Sequence, residues 1–240
     1  MSGFATHIME EAFAMSSIPE FLAACRNQNH HPMTTRTLAF LGLQPNAGLW
    51  CQSNRGEGVI IGVVNTGVGA RAFYDVFATN TLGHETHTAC TTGGNFFSVA
   101  EFLGQASGTA SNIAPLTHLA VYKICSSEGC NDDHLVAGLH AAIEDCVDVV
   151  VYLLEASLFP FRFYPIAIAG LHVFLKGITF ACSAGNSGPK YGSLSYETPW
   201  LISVGSLTLD RVLKAIVRLG DDLEFVGEAL FQPKGFSYKH

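Results

Sequence analysis

Charged residues are scarce in this sequence, and the functions that depend on them have little support. Only 14% of the 240 residues are Asp, Glu, Lys or Arg, and 13 Lys and Arg against 20 Asp and Glu give a net charge of −7. No basic run of five or more residues occurs. Binding to nucleic acids or to anionic membranes is therefore not expected, because both rely on clustered positive charge.

Long apolar runs and targeting signals are also missing. Gly, Pro or a charged residue interrupts every apolar stretch well before the ~20 residues that cross a bilayer, so we expect no transmembrane helix. The first residues, MSGFATHIMEEAFAM, lack a basic region followed by an apolar core, so we expect no secretory signal here. Such an N-terminus is expected of an intracellular protein, or of a gene model that begins too late in a longer protein.

The seven cysteines include no CxxC pair, so a structural zinc site is not expected. Cys125 and Cys130 flank a short SSEG turn and could form a local disulfide in an oxidising compartment. Scattered buried thiols are the alternative, and the sequence leaves both open. The odd number leaves at least one cysteine unpaired within a monomer.

The high content of hydrophobic residues indicates a folded protein. Hydrophobic residues make up 48% of the chain, enough for a sizeable core in one large domain, or one domain with a small appendage. Residues 1–33 form a separate piece in this interpretation. The stretch GFATHIMEEAFAM predicts a strand end and a short amphipathic helix, and the polar stretch RNQNHHPM predicts an exposed linker.

From Thr34 onward, apolar β-branched runs alternate with helical patterns. Asn131 is placed to cap the first helix and Gly177 to end the second. This alternation predicts an α/β fold with a doubly wound, mostly parallel sheet, whose functional residues lie at the carboxyl ends of strands. Those ends carry Asn65, Glu155 and Asn186. The predicted strands cover 58–64, 116–124, 147–154, 178–184 and 201–207, and the predicted helices 132–146 and 164–177.

Several segments resemble the plant-type subtilisin-like serine proteases, the subtilases, in the order found in that family. They are TTRTLAFLGL (34–43), GVIIGVVNTGV (58–68), GHETHTAC (83–90), GTASNIAPLTHLAVYKIC (108–125), CSAGNSGP (182–189), ETPWLISVGSLTLDR (197–211) and FQPKGF (231–236). The resemblance implies an incomplete subtilisin-like fold. It assigns 1–33 to the C-terminal remnant of an inhibitory propeptide and 34–240 to a partial peptidase domain that ends before the catalytic Ser segment. It also implies a secreted endoprotease with protein or peptide substrates and no cofactor.

Residue by residue, the resemblance places Asn65 where the family has its catalytic Asp, His84 at the base position and Asn186 at the oxyanion position. An amide at position 65 cannot stabilise the imidazolium that forms during attack. Glu85 stands where the family has Gly, next to the base, where it would crowd the nucleophile or raise the pKa of His84. The family's nucleophilic Ser lies in a Gly-Thr-Ser-Met-Ala segment, and no such run occurs in this chain.

Two further departures concern substrate binding and folding. The family's substrate-binding strand ends in Ser-Leu-Gly-Gly, and the corresponding residues here are Leu153, Leu154, Glu155 and Ala156. Glu155 would obstruct the close backbone pairing that glycine permits. Between Gly67 and Gly69 the chain also lacks several dozen residues of the family, which places stable folding in question.

The HETH sequence invites a metal interpretation that the spacing does not favour. Zinc proteases carry H-E-x-x-H, whereas His84 and His87 are three residues apart and only Cys90 could complete a triplet. We therefore predict no metal site and no cofactor.

Three hypotheses remain open at this point. The chain is a catalytically inactive member of the family, a regulatory or inhibitory pseudo-protease that binds an intact subtilase, or a pseudogene or partial gene-model product. The resemblance implies an extracellular location, whereas the N-terminus contains no signal.

Overall fold

Strands and helices alternate through most of the chain in the computed structural model. It describes residues 5–6, 35–65, 71–72, 84–102, 105–126, 129–154, 161–212 and 214–228. The strands are β1 (Ala5–Thr6), β2 (Ile60–Asn65), β3 (Arg71–Ala72), β4 (Phe97–Phe102), β5 (Gln105–Ala110), β6 (His118–Lys123), β7 (Cys125–Ser126), β8 (Gly129–Cys130), β9 (Val149–Tyr152), β10 (Thr179–Ser183), β11 (Ile202–Val204), β12 (Lys214–Arg218) and β13 (Glu224–Glu228). The helices are α1 (Thr37–Phe40), α2 (Gly48–Gln52), α3 (His84–Gly93), α4 (Asp132–Glu144) and α5 (Pro165–Leu175), with 3₁₀ turns at Asn54–Gly56 and Phe161–Phe163.

A six-stranded sheet forms the centre of the larger of two units, which spans 41–96 and 111–208. Its strand order is β11-β10-β9-β2-β6-β3, and every neighbouring pair is parallel. Five of these strands are the predicted ones, so the α/β class with a parallel sheet is confirmed. The short edge strand β3 and helix α3 have no counterpart in the predicted elements.

Helices cover both faces of this sheet. Side chains alternate along each strand, so successive residues belong to opposite faces. Val64 of β2 and Tyr122 of β6 point to one face, where α4 and α5 bury Leu139 and Ile166 against them. Val63 and its registered partner Val121 lie in a second, smaller apolar cluster on the other face. The next residue of β2 on that face, Asn65, contacts α3. Parallel sheets of this kind are covered on both sides.

The termini of α4 and α5 follow from local sequence, with one correction. Asn131 occupies the N-cap of α4, but its side chain forms no capping hydrogen bond there, so its predicted capping role is wrong. Asp132 and Asp133 in the first turn favour the positive end of the helix dipole instead. Gly177 follows α5 with φ +80°, the left-handed conformation that favours glycine, as predicted.

A disulfide joins Cys125 and Cys130 across the β7–β8 hairpin. Of the two possibilities that the sequence left open, the local disulfide is therefore the one present. Cys51, Cys90, Cys146 and Cys182 carry free thiols. Within the described residues, no helix combines the length and apolar character needed to cross a bilayer.

The smaller unit comprises 1–40, 97–110 and 209–240. Its described parts include the β4–β5 hairpin and the β12–β13 hairpin, with β1 antiparallel to β13. Arg36 forms an ion pair with Asp210, which lowers the pKa of that carboxyl group. Apart from Ala5–Thr6, the predicted N-terminal strand, helix and linker lie outside the described residues, and the division at residue 33 stays a prediction.

Candidate functional site

The order in which the chain adds strands to the sheet reverses between the neighbouring strands β2 and β9. The chain leaves β2 through α3 towards β6 on one side, and leaves β9 through α5 towards β10 on the other. Open α/β sheets bind ligands outside the strand ends at such a switch point. Asn65 is the last residue of β2, and Leu153 follows directly after β9. The topology therefore brings two of the predicted site segments together.

Asn65 and His84, which the resemblance assigns to the acid and base positions, contact each other at this point. The Asn65 side chain is completely buried. His84 is exposed at the first turn of α3, and its ring Nδ1 lies 3.3 Å from Asn65 Nδ2. The same amide nitrogen lies 3.4 Å from Thr88 Oγ1, one helical turn further along α3. Asn65 thus aligns the histidine and the helix that carries it.

The contact determines where the neutral imidazole of His84 carries its proton. An amide nitrogen is only a donor, so His84 Nδ1 accepts the hydrogen bond from Asn65 Nδ2. The ring proton then resides on Nε2. In a serine protease the carboxylate accepts from Nδ1–H, and the unprotonated Nε2 removes the proton from the nucleophile. The amide at position 65 favours the opposite tautomer.

The other predicted site residues lie along the same edge of the sheet. Asn186 follows the carboxyl end of β10, two strands from β2, and its side chain is exposed. Leu153 and Leu154 follow β9, which lies between β10 and β2. Glu155 and Ala156 lie outside the described residues, as does the side chain of Glu85.

A tyrosine cluster supports the residues that follow β9. The hydroxyl of Tyr196 donates a hydrogen bond of 2.7 Å to the carbonyl of Leu154. Its ring stacks on Tyr164 at 5.8 Å and meets Tyr152 edge-on at 5.5 Å. Burial raises the pKa of all three tyrosines, and it raises the pKa of the neighbouring Cys182 thiol to about 12. The end of β9 is thus fixed by groups that are neutral at physiological pH.

Stability is expected to fall as the pH rises above about 9, because these acids hold their protons more tightly in the folded chain. Cys182 contributes stability that is complete below its usual pKa of 9.0 and lost as the pH rises towards 12. The tyrosines add losses of the same sign above pH 10. Each group adds a slope of at most about 1.4 kcal/mol per pH unit. Urea unfolding midpoints between pH 8 and 11 measure this loss. A Cys182→Ala variant should lose less between pH 9 and 10, and midpoints independent of pH would contradict the expectation.

Three residues of this region were not predicted from the sequence. Thr88 is four residues after His84 on the same helix face, a spacing that could have identified it. Lys123, registered opposite Asn65 on β6, is only 3% exposed, and the alternation along that strand indicates its face. Tyr196 reaches Leu154 over 42 residues of sequence, and no local pattern signals such a contact.

In the part of the chain that the structure describes, the His and Cys side chains of α3 are not grouped with further metal ligands. No group of three or more His, Cys, Asp or Glu side chains suited to a metal ion occurs among these residues. The HETH sequence forms the first turn of α3, where its two histidines are three residues apart.

Sequence comparison relates the chain to plant proteases over nearly its full length. It is 32% identical to the subtilisin-like protease SBT1.2 of Arabidopsis thaliana over 98% of this chain and 38% of that protein. It is 30% identical to the subtilisin-like protease SBT3 of Solanum lycopersicum over 95% of this chain and 37% of that protein. The chain thus spans less than two fifths of the length of these relatives. No family model matches the chain.

Two details qualify the comparison. The alignment with the Arabidopsis protein covers 295 positions, 55 more than the 240 residues of this chain, so the relative has stretches that are missing here. Among solved structures, MycP1 without its N-terminal propeptide gives a TM-score of 0.48 at 20% identity, over 64% of this chain and 58% of that one.

Proposed function

The chain belongs to the plant subtilisin-like protease family over the stretch that it spans, and from this premise we propose that this polypeptide is a subtilase relative that does not cleave peptide bonds. It keeps the parallel sheet and the helix that carries His84, but the site holds its histidine in a form unsuited to act as a base. The contact between Asn65 Nδ2 and His84 Nδ1 is the observation that carries this proposal.

The chemical consequence of the amide is large. His84 with its proton on Nε2 has no lone pair at the nitrogen that should accept the proton of a nucleophile. The amide also supplies no negative charge to stabilise an imidazolium. In another serine protease the same change from carboxylate to amide lowers kcat about 10⁴-fold.

The substrate-binding segment supports the same proposal. Tyr196 holds the carbonyl of Leu154, so the chain at the end of β9 has a defined position. The next two residues are Glu155 and Ala156 instead of the glycines that allow a peptide to pair closely with this edge. A charged side chain there disfavours a bound peptide backbone.

A fluorophosphonate probe tests the proposal, because it labels only an activated serine nucleophile. We expect no labelling of the purified 240-residue chain, under conditions where an intact plant subtilisin-like protease is labelled to one equivalent. Heat-denatured samples of both proteins control for non-specific reaction. Stoichiometric labelling of the folded chain, abolished by His84→Ala, would show an active protease and refute the proposal.

Regulation of an intact subtilase stays a prediction, to be tested by inhibition of an active relative at micromolar concentrations. No slowing at those concentrations would rule against it.

A secreted location also stays a prediction. The Cys125–Cys130 disulfide supports it, since disulfides persist in oxidising compartments.

A further inference from the structure

We infer that Tyr196 is a positioning residue of the candidate site, which holds the residues that follow β9 and the residues that follow β10 in a fixed arrangement. These two segments, 153–154 and 184–186, contain positions that the resemblance assigns to substrate binding and to the oxyanion contact. The inference rests on the proposed function, because it concerns the same site. Tyr196 is not among the residues with which a serine protease triad is built, and the sequence patterns gave it no role.

The side chain of Tyr196 contacts the chain at the end of β9 at two points. Its hydroxyl donates a hydrogen bond of 2.7 Å to the carbonyl of Leu154, and its ring meets Tyr152, the last residue of β9, edge-on. The same ring stacks on Tyr164, the N-cap residue of α5. Tyr196 is only 3% exposed, so water has little access to these contacts. Leu153 therefore lies between two points of the chain that Tyr196 holds.

The backbone at Tyr196 holds the segment after β10. Ser195 donates its amide proton to the carbonyl of Ala184, the residue that directly follows β10, at 3.1 Å. The hydroxyl of Ser203, in strand β11, donates to the carbonyl of Tyr196 at 2.7 Å. Asn186 follows Ala184 by two residues. The same short stretch of chain therefore bonds to both segments of the site and to the sheet.

The backbone conformation of Tyr196 is unusual for a residue of its type. Its φ is +62°, in the left-handed region that a bulky residue rarely adopts. Such strain persists only where the surroundings over-determine the conformation, and it concentrates at functional sites. Here the ring, the hydroxyl and the carbonyl of one residue all have partners, which lie in or next to β9, α5 and β11. The strain and the contacts together indicate a residue that fixes the arrangement of these elements, beyond filling space in the core.

Tyr196→Phe tests the hydroxyl alone, because it keeps the ring. We expect the carbonyl carbon of Leu154 to lose the chemical shift of a hydrogen-bonded carbonyl. The amide residual dipolar couplings of 153–154 should depart from the orientation that fits the rest of the sheet. Those of 184–186 should keep that orientation, because the backbone bond that holds this segment remains.

Tyr196→Gly removes the ring as well and relieves the left-handed strain. We expect the amide proton of Ser195 to exchange with solvent at least about tenfold faster than in the parent, relative to the amide of Ala184, which bonds to Val204 within the sheet. The couplings of both segments should then depart from the orientation of the sheet. In Tyr196→Phe, whose ring remains, the Ser195 amide should keep the exchange rate of the parent.

Tyr122→Phe is the matched control. It removes another buried tyrosine hydroxyl of the same sheet, which bonds to Asp145 at 2.9 Å, and should leave both segments unchanged even where it lowers the urea midpoint. An unchanged Leu154 carbonyl shift with unchanged couplings in Tyr196→Phe would overturn the inference, and so would equal changes in the control. If Tyr196→Gly does not fold, the Tyr196→Phe result alone decides. No readout depends on protease activity, so the proposed inactivity and the role of Tyr196 can fail separately.

Discussion

In the Asn65→Asp variant, the imidazole of His84 is expected to carry its proton on Nδ1 instead of Nε2. The aspartate can only accept a hydrogen bond when it is ionised, so the nitrogen 3.3 Å away must donate. The change in tautomer should be complete. Two-bond nitrogen–proton correlation spectra of the His84 ring at neutral pH measure it, because protonated and unprotonated ring nitrogens differ strongly in chemical shift.

Asn186→Asp is the matched control for this variant. It makes the same chemical change at another predicted site residue, on the exposed segment after β10, and should leave the His84 ring unchanged. An Asn65→Asp protein whose His84 keeps its proton on Nε2 would show that position 65 does not determine the tautomer.

Phe180→Ala should destabilise the fold more than a change at any exposed position. Phe180 is the second residue of β10, is 1% exposed, and packs in the main core against α5. Removal of a buried phenyl group costs about 3–5 kcal/mol in lost burial and cavity formation. This is a large fraction of the roughly 5–15 kcal/mol that stabilises a typical domain. Urea unfolding followed by near-ultraviolet circular dichroism measures the loss.

Phe174→Ala provides the comparison. Phe174 belongs to α5, six residues before Phe180 in sequence, and is 54% exposed. We expect a loss of less than about 1 kcal/mol for this variant. Equal losses for the two variants, or a parent chain that unfolds without a cooperative transition, would mean that the parallel sheet does not form a fixed core.

The secondary-structure elements predicted best are those whose burial in the core shows directly as a run of apolar residues in the sequence. Strand β2 is buried along nearly its whole length, and β6, β9 and β10 each contain buried residues, so their apolar, β-branched sequence was sufficient to identify them. Helix α3 was missed because its sequence, HETHTACTTG, has few apolar residues and so lacks a clear helical pattern. The hairpin β12–β13 was missed as well, since most of the side chains that the structure describes in it are exposed.

The candidate site was predicted from motif order, and its chemistry from residue identity. The resemblance assigned Asn65 and His84 to one site, and their side chains are in contact in the structure. Their hydrogen-bond direction could not be read from sequence, because an amide offers both a donor nitrogen and an acceptor oxygen, and only the fold shows that the nitrogen faces His84 and Thr88. Lys123 lies opposite Asn65 in the strand register, and Tyr196 bonds to Leu154 from a distant loop; single-sequence patterns do not encode such placements.

The tautomer of His84 in the unmodified chain tests the central claim most directly. Nitrogen-15 spectra of the folded protein at neutral pH should show His84 with Nε2 protonated and Nδ1 as an acceptor, as the contact with Asn65 Nδ2 requires. That result would mean that the histidine is held in a form that cannot serve as a general base. A ring protonated on Nδ1, with a free lone pair on Nε2, would contradict the claim and restore a protease-like histidine to the site.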